Sequence, residues 1–189
     1  MDKLENYLES YFGVPDKQME KMVSLFEKTS LEKGDYFCKT GTRKGDLSFV
    51  VNGCLRVFAF AEDKDVTQWI SSEGEFVCDL RSLLFGEPSQ WNIQALSACE
   101  LWTIKQANYQ KIGKLIPEWE QLEKLFLAKC FVTIENRVFS FLSMSAEERY
   151  QQFFEMKKEL FNEVPLHFLA SLLGMTPETL SRLRRKNIS

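Results

Sequence analysis

Residues 164–186 read VPLHFLASLLGMTPETLSRLRRK, and the spacing of their apolar residues predicts two short helices joined by a turn. In the first half of this stretch, apolar side chains recur at helical intervals at Leu166, Leu169, Ala170 and Leu173. Gly174 is suited to the left-handed backbone conformation that ends a helix sharply. We therefore expect the first helix to end at Leu173.

A second helix is predicted next, because residue types that favour a helix N-terminus follow the glycine. Thr176 offers a hydroxyl group for the N-cap, and Pro177 suits the first helical position, where a backbone N–H is not needed. Leu180 and Leu183 are then expected to face inward. The residues left on the outer side are Glu178, Ser181, Arg182, Arg185 and Lys186, with Arg184 beside them.

Helix, glycine turn and capped helix in this order are the layout of a helix-turn-helix. From residue 176 to 189, four side chains are positive and one is negative, which gives this segment +3 against −3 for the whole chain. Such a gradient points one end of an acidic molecule toward phosphates, so double-stranded DNA is the first partner that we expect. An ordinary helical hairpin with a solvated basic tail is the alternative.

The composition is typical of a globular protein with a well-filled core. The chain has 189 residues, of which 44% are hydrophobic and 16 are phenylalanine. No apolar run approaches the roughly 20 residues that a membrane span requires.

The cysteines argue against a disulfide framework, a zinc site and an iron–sulfur cluster, because they are odd in number and contain no C-x-x-C pair. They are Cys38, Cys54, Cys78, Cys99 and Cys130. A reducing cytoplasm fits them, and most are expected to be small core residues. A redox-sensing thiol is the alternative.

In the first hundred residues, the spacing of apolar residues changes after two helical stretches. Apolar residues at helical spacing, from Leu4 to Phe12 and from Met19 to Phe26, flank a break at residues 13–15. Glycines then separate short runs rich in Phe, Val and Trp, which are typical of strands in a β-sandwich, barrel or roll. The six runs are 36–38, 47–51, 55–60, 66–70, 92–96 and 100–104. Asn52-Gly53, between two of these runs, predicts a hairpin.

The helical period returns from Gln106, and the longest predicted helix spans 117–143. One side of it carries Trp119, Leu122, Phe126, Cys130, Ile134, Val138 and Phe141, and another carries Leu125, Ala128, Val132, Phe139 and Leu142. A helix that is apolar nearly all round must be buried nearly all round, so we expect the β domain on one side and a second subunit on the other. The hypothesis is a homodimer with contacts at Leu122, Leu125, Phe126, Val132 and Val138. A monomer with this helix inside its own core is the alternative.

The predicted order of roll, long helix and helix-turn-helix resembles that of the Crp/Fnr family of bacterial transcription regulators over nearly the whole chain. The matching segments are 33–41, 47–57, 74–77, 145–150 and 164–186. The resemblance implies an α+β fold with an N-terminal double-stranded β-roll (jelly-roll-like) and flanking helices, a long dimerisation helix, and a helical helix-turn-helix domain, which in this chain is expected to lack a full wing because the chain ends at Ser189. The implied domains are a cyclic-nucleotide-binding-like effector or sensor domain at 1–116, the dimerisation helix at 117–143 and the DNA-binding domain at 144–189.

The effector pocket is where the chain departs from the family. Nucleotide-binding members present a Gly-Glu pair to the ribose and an Arg-Ser pair to the cyclic phosphate, and these places here hold Cys78-Asp79 and Ser89-Gln90. A phosphate without a guanidinium loses a charge-assisted partner worth roughly 1.5–3 kcal/mol. Arg81 is the only arginine close by in sequence. We therefore predict that cyclic AMP is not the ligand.

The residues of this degenerate pocket are predicted to be Phe76, Cys78, Asp79, Leu80, Ser89, Gln90 and Trp91. The pocket either holds another small molecule, responds to a protein partner, or is closed by Trp91 and Phe76 as a scaffold. Haem is disfavoured because the single histidine, His167, lies in the helix-turn-helix, and an oxygen-labile cluster is disfavoured by the lack of closely spaced N-terminal cysteines. No cofactor is expected.

In the helix-turn-helix, the resemblance implies roles residue by residue. Glu178 and Arg182 match positions that read base edges, where glutamate accepts from cytosine and arginine bonds guanine. Pro177 stands where the family often has an arginine, and the chain ends at Ser189, so we expect a changed half-site and no β-hairpin wing. The positions matching phosphate contacts are Thr176, Arg185 and Lys186. Thr179 and Ser181 complete the predicted DNA-binding set.

Two other functions are alternatives to a DNA-binding regulator. A cupin-like small-barrel enzyme would need histidine ligands for its metal, and the chain has no histidine before His167. A sensor that regulates another protein without touching DNA is the second alternative. The main expectation is a cytoplasmic regulator that is not an enzyme and binds double-stranded DNA as a homodimer, with RNA polymerase and an unknown small-molecule effector as further candidate partners.

Overall fold

The structure is a computed structural model that describes residues 3–62 and 64–188. Strands fill most of the first half of this region, and helices lie at both ends. The strands are β1 (Phe26–Leu31), β2 (Tyr36–Cys38), β3 (Leu47–Asn52), β4 (Leu55–Ala61), β5 (Lys64–Ser71), β6 (Phe76–Cys78), β7 (Asn92–Ala95) and β8 (Cys99–Ile104). The helices are α1 (Lys3–Phe12), α2 (Asp16–Val23), α3 (Leu80–Phe85), α4 (Gln106–Tyr109), α5 (Ile112–Leu115), α6 (Trp119–Ser143), α7 (Ala146–Met156), α8 (Leu160–Glu163), α9 (Leu166–Leu173) and α10 (Pro177–Ile188).

The strands form two antiparallel sheets that pack against each other as a roll. One sheet has the order β1-β8-β3-β6 and the other has the order β2-β7-β4-β5. Apolar side chains from both sheets share one buried cluster, in which Val50 and Leu101 of the first sheet join Leu55 and Ile93 of the second. The predicted α+β class with an N-terminal roll is confirmed.

The six apolar runs form strands as predicted, but two local expectations are wrong. Phe26 begins β1 instead of continuing a helix, because β1 pairs along its whole length with β8, from Phe26 opposite Ile104 to Leu31 opposite Cys99. Asn52-Gly53 does not close a hairpin, because β3 and β4 lie in different sheets and each has other strands on both edges. The hairpin that forms joins β4 to β5.

Helices α1 and α2 and the first half of α6 cover the outer side of the β1-β8-β3-β6 sheet. Leu8 and Phe12 of α1 share a buried cluster with Phe49 of β3 and Phe126 of α6. The ring centroids of Phe12 and Phe126 lie 4.5 Å apart. The β domain therefore covers one side of the long helix, as the sequence predicts.

Helix α6 loses this cover halfway along. Phe126 is buried in the core of its own chain, which makes it unavailable to a second subunit, and Leu122 also packs against that core. The apolar contact with the β domain ends at Cys130, because the apolar residues that follow on this side of α6 are exposed, and further along the described helix only Arg137 bonds to β5, at the carbonyl of Gln68. The exposed apolar residues of α6 are Leu125, Phe131, Val132, Ile134, Val138, Phe139, Phe141 and Leu142.

The last four helices share a second core that continues into the roll. Tyr150 of α7, Phe161 of α8, Leu169 of α9 and Leu180 of α10 are buried in one cluster with Ile70 of β5. The C-terminal helices are therefore packed on the β4-β5 side of the roll.

The limits predicted for the last two helices are confirmed. Helix α9 ends at Leu173, and Gly174 follows with φ 64° and ψ 43°. The hydroxyl of Thr176 accepts a hydrogen bond from the backbone N–H of Thr179 at 3.2 Å, as an N-cap does. Ser189, on which the expectation of a missing wing rests, lies outside the described residues.

Replacement of Gly174 by alanine is expected to destabilise the protein more than the same change at Gly86. Both glycines follow a helix with left-handed backbone, at φ 64° and φ 65°, and this conformation costs a residue with a Cβ about 1–2 kcal/mol. A Cβ at Gly174 would also approach the Phe141 ring to 2.5 Å, whereas nothing lies within 4 Å of a Cβ at Gly86. Urea unfolding of G174A and G86A compares the two losses in free energy of unfolding. Equal losses would contradict a tight contact between the turn and α6.

Candidate nucleic-acid interface and effector pocket

Helix α10 is anchored by apolar residues on one face and presents charged residues on the other. Leu180 and Leu183 are buried in the C-terminal core. The exposed charged residues recur at positions i, i+4, i+7 and i+8, which share one helix face; they are Glu178, Arg182, Arg185 and Lys186. We call these four residues the outer face of α10. Thr179 and Ser181 are half-buried beside it.

In the N-terminal turn of α10, the carboxylate of Glu178 interacts with the exposed Thr176. The hydroxyl groups of Thr176 and Thr179 lie 3.2 Å apart. The backbone N–H of Glu178 and the hydroxyl of Thr176 lower the pKa of the Glu178 carboxyl. Glu178 is therefore a negatively charged acceptor at neutral pH, four residues before Arg182 on the same face.

Lys186, at the other end of the outer face, has a partner within the chain. Its Nζ lies 2.7 Å from an oxygen of Glu147 on α7, and both side chains are exposed. Exposed ion pairs contribute little to stability, so a phosphate can take the place of this carboxylate. The pair orients Lys186 without removing it from the surface.

Asp79, one of the residues predicted to line the effector pocket, is buried and bound to backbone N–H groups. Its side chain is 1% exposed, and its carboxylate accepts backbone hydrogen bonds from Ser82 at 2.9 Å, from Gln90 at 2.8 Å and from Trp91 at 3.1 Å. The first bond caps α3, and the other two tie the loop before β7 to the beginning of that helix. Three N–H groups around one carboxylate form an anion site that a side chain of the protein already occupies.

The loop around Ser89 is also closed by internal contacts. Ser89 is buried, and its hydroxyl lies 2.8 Å from Sγ of Cys38. The indole of Trp91 packs against the cluster inside the roll, whereas Gln90 is exposed. Leu80, at the beginning of α3, is exposed as well.

Phe76 and Cys78 do not line the inside of the roll. Alternate residues of a strand point to opposite faces, and in β6 it is Val77 that joins the interior cluster. Phe76 and Cys78 pack against the cluster beneath the helices, where the Phe76 ring lies 5.5 Å from that of Phe12. Of the three alternatives given for this pocket, closure by Phe76 is therefore wrong.

Arg81 is directed away from the pocket, toward the surface. Its guanidinium pairs with Glu87, and both side chains are about half exposed. An anion entering the pocket would therefore meet the Asp79 carboxylate in place of an arginine.

A buried arginine joins the roll to the C-terminal helices. Arg56 of β4 is 1% exposed. Its Nε donates to the Thr67 hydroxyl at 2.9 Å, and its Nη1 donates to Asp65 at 2.7 Å. The guanidinium lies 4.3 Å from the ring centroid of Phe58 in β4 and 3.9 Å from that of Phe168 in α9. This arrangement combines an ion pair with cation–π contacts from two parts of the chain.

A second link lies next to Arg56. The backbone N–H of Thr67 donates to the Ser171 hydroxyl at 2.9 Å, which joins β5 directly to α9. The sequence analysis assigned no role to Arg56. The available signal was a cation inside the apolar run 55–60, at a position that shares a strand face with Phe58.

The cysteines in the described part of the chain are free thiols, and four of them have a raised pKa. Cys38, Cys54 and Cys99 are buried, and burial raises the pKa of Cys54 to about 12. Burial also raises the pKa of Cys78, Cys99 and Cys130. Thiols with a high pKa are poor nucleophiles at neutral pH. This agrees with the expectation that most of these cysteines are core residues.

The described residues form neither a metal site nor a membrane-spanning helix. Within 3–62 and 64–188, no group of three or more His, Cys, Asp or Glu side chains is placed to hold a metal ion. No helix in the same residues has the length and apolar character to cross a membrane.

Part of the chain that contains the roll matches a known domain family. Residues 28–114 match the family model of the cyclic nucleotide-binding domain. This segment begins in β1 and ends in α5, so it contains strands from both sheets and the predicted effector pocket. A search of curated proteins finds no significant match to the chain.

Solved structures of Crp/Fnr-type regulators have a similar fold. FixK2 from Bradyrhizobium japonicum has a TM-score of 0.72 at 18% identity, over 85% of this chain and 83% of that chain. The c-di-GMP responsive global regulator CLP of Xanthomonas campestris has a TM-score of 0.68 at 16% identity, over 91% of each chain. The catabolite activator protein of Thermus thermophilus has a TM-score of 0.57 at 21% identity, over 92% of this chain and 84% of that chain. At these identities the likeness shows the fold.

Replacement of Asp79 by asparagine is expected to lower the free energy of unfolding by about 2–3 kcal/mol, because hydrogen bonds to a buried charged acceptor are lost and one amide group then faces N–H donors. Urea unfolding at pH 7 measures this loss. The control is Glu87→Gln, which neutralises an exposed carboxylate near α3 and should change stability by no more than about 0.5 kcal/mol. A D79N variant as stable as E87Q would show that the carboxylate does not hold this loop.

Proposed function

We propose that this chain is a DNA-binding transcriptional regulator of the Crp/Fnr type, which acts as a homodimer and reads a palindromic site with helix 176–188 of each subunit. The observation that carries this proposal is the exposure of the outer face of α10 on a helix held by Leu180 and Leu183. The fold shared with solved Crp/Fnr-type regulators supports it. In this proposal, 1–116 is the sensor domain, 117–143 the dimerisation helix and 144–189 the DNA-binding domain.

The outer face of α10 combines one acceptor with several donors, as base and phosphate recognition requires. Glu178 can accept from a cytosine amino group, and Arg182 can donate two hydrogen bonds to guanine. Arg185 and Lys186 lie further along the same exposed face and are suited to phosphates. Thr176 sits at the helix N-terminus, where backbone N–H groups favour an anion.

An exposed apolar row along α6 offers a surface for a second subunit. Leu125, Val132 and Phe139 lie at heptad spacing, and their side chains are 50%, 50% and 66% exposed. Leu142, near the end of the helix, is 81% exposed. We call these four residues the α6 seam. An apolar row of this kind favours self-association through a two-fold axis.

Cyclic AMP is not the effector in this proposal. The carboxylate of Asp79 takes three backbone N–H groups in the predicted pocket, and a phosphate brought beside it would add a second buried negative charge. The only arginine near the pocket in sequence, Arg81, is paired with Glu87 at the surface.

Regulation would change how the two α6 helices pack. In a dimer bound to successive major grooves, the two α10 helices must lie about 34 Å apart. A signal that alters the packing of the α6 seam would change this distance. The effector that gives this signal must bind the two arrangements of the α6 helices with different affinity.

Removal of two charges from the outer face of α10 is expected to weaken DNA binding by about tenfold or more, because a bidentate base contact alone is worth roughly 1–3 kcal/mol. The duplex is first selected from a random pool with the wild-type protein. Fluorescence anisotropy then compares wild type with the double variant Arg182→Ala, Arg185→Ala. The matched control is Arg43→Ala, Lys44→Ala, which removes two exposed charges from the roll.

The control pair should bind the selected duplex within about twofold of wild type. Binding that survives the loss of Arg182 and Arg185 would exclude the assigned reading surface. If wild type dimerises but binds no duplex, the alternative of a sensor that acts through protein partners is favoured. Addition of about 100 μM cyclic AMP should leave the affinity unchanged, and calorimetry that shows binding in the low micromolar range would contradict the predicted insensitivity.

The substitution Val132→Glu is expected to convert the protein into a monomer of 22.1 kDa, because it places two charges inside the apolar α6 seam. Sedimentation at micromolar protein measures the mass. Ile134→Glu is the matched control, since Ile134 is also exposed but points about 160° away around the helix. A wild-type protein that sediments only at 22.1 kDa would contradict the dimer.

A further inference from the structure

A cleft of about 510 Å³ lies where the roll, the end of α6 and the C-terminal helices meet. Its apolar lining includes Trp69 of β5, Phe141 of α6, Phe153 and Met156 of α7, and Leu173 of α9. Its volume falls within the about 300–1,000 Å³ of pockets that hold small molecules. We call it the junction cleft. It lies apart from the pocket around Asp79 and contains no residue of α10.

Two guanidinium groups line the junction cleft without an acidic partner. Arg137 donates to the carbonyl oxygen of Leu172 at 2.8 Å, and Arg149 donates to that of Leu173 at 3.1 Å. In the described part of the chain, no Asp or Glu oxygen lies within 4.0 Å of either guanidinium. Both groups therefore carry a positive charge that no side chain neutralises.

The carboxylate in the lining of the cleft is already paired. Glu75 lies 3.1 Å from Nζ of Lys157, and both side chains are largely buried. Burial lowers the pKa of Arg137 to about 10, because removal from water disfavours the charged form. Arg137 is still charged at neutral pH, so the cleft keeps a net positive charge inside a largely apolar wall.

The charge of the cleft favours an anion, and its lining favours an organic one. Arg137 and Arg149 both lie beside the same aromatic ring, at 5.5 Å and 4.9 Å from the centroid of Phe141. A guanidinium has five N–H donors, and each of these groups donates to two backbone carbonyls. Donors remain on both groups for an incoming carboxylate.

We propose that the junction cleft binds a small organic acid with one carboxylate on an apolar body. The carboxylate lies at Arg137 and Arg149, and the apolar body lies against Trp69 and Phe141. Neutral molecules of the same shape bind more weakly, because they leave both guanidinium charges without a counter-ion.

Binding of such an acid would act on the end of α9. A guanidinium that turns its remaining N–H groups toward a carboxylate weakens its hydrogen bonds to the carbonyl oxygens of Leu172 and Leu173, because a carboxylate is a stronger acceptor than a neutral carbonyl oxygen. These two carbonyls directly precede Gly174 and the turn to α10. This effect on α10 rests on the proposed function, whereas binding to the cleft does not.

Calorimetry with octanoate and 1-octanol tests the site on the unmodified protein without DNA. Octanoate is expected to bind with a dissociation constant below about 1 mM, and 1-octanol about tenfold more weakly or not at all. A constant above about 1 mM for octanoate, or equal affinity for the two compounds, would overturn the proposal. Because DNA is absent, this outcome is separate from a failure of the proposed function.

The variants Arg149→Gln and Arg137→Gln locate the site. Either change should weaken octanoate binding by about tenfold, since one charge-assisted contact is lost. Arg43→Gln is the control, because Arg43 is exposed on the roll and donates to the carbonyl of Gly86. Octanoate binding that is unchanged in R149Q would overturn the assignment of the site to the junction cleft. If a variant does not fold, the comparison of octanoate with 1-octanol on the wild-type protein tests the proposal.

Discussion

The position of the C-terminal helices depends on the buried guanidinium of Arg56. Arg56 lies inside the molecule, and burial of a charge without partners costs several kcal/mol. Its partners come from both sides of the junction: Asp65 and Thr67 from the β4-β5 hairpin, and the ring of Phe168 from α9. Because the guanidinium would lose part of this environment if α9 moved, the orientation of the last two helices is fixed to the roll.

The pocket inside the roll is stabilised in a comparable way, with a negative charge. Asp79 gathers the N–H groups of Ser82, Gln90 and Trp91 around one carboxylate, so the beginning of α3 and the loop before β7 are joined without a ligand. A domain whose anion site is filled by its own side chain does not need an anion in order to adopt this conformation.

The parts of the structure that sequence reasoning predicted depend on short-range geometry. Gly174 and Thr176 fix the two ends of a turn through their own backbone and side-chain preferences, so the helix limits followed from local residue types. Phe26 kept helical spacing with its neighbours, but pairing with a strand distant in the chain decided its conformation. The contact between Arg56 and Phe168 could not be predicted either, because nothing near either residue in sequence indicates the other. Exposure of the outer face of α10 agreed with the pattern, since Leu180 and its helical neighbours identify the buried side.

Helix α6 connects the three parts of the molecule, because each of its segments has a different neighbour. Its first half is embedded in the core beneath the roll through Phe126, and the α6 seam lies exposed along the helix from Leu125 to Leu142. Its last turns pack against the glycine turn before α10, where Phe141 leaves no room for a side chain at Gly174. Phe139 in the seam and Phe141 at the turn are two residues apart on one helix, so a shift of the seam moves the turn as well. Close packing transmits such a shift without loss because the interior is hardly compressible. The contact of Phe141 with the turn at Gly174 is therefore one through which a second subunit of the proposed dimer, or an occupant of the junction cleft that Phe141 also lines, would act on α10.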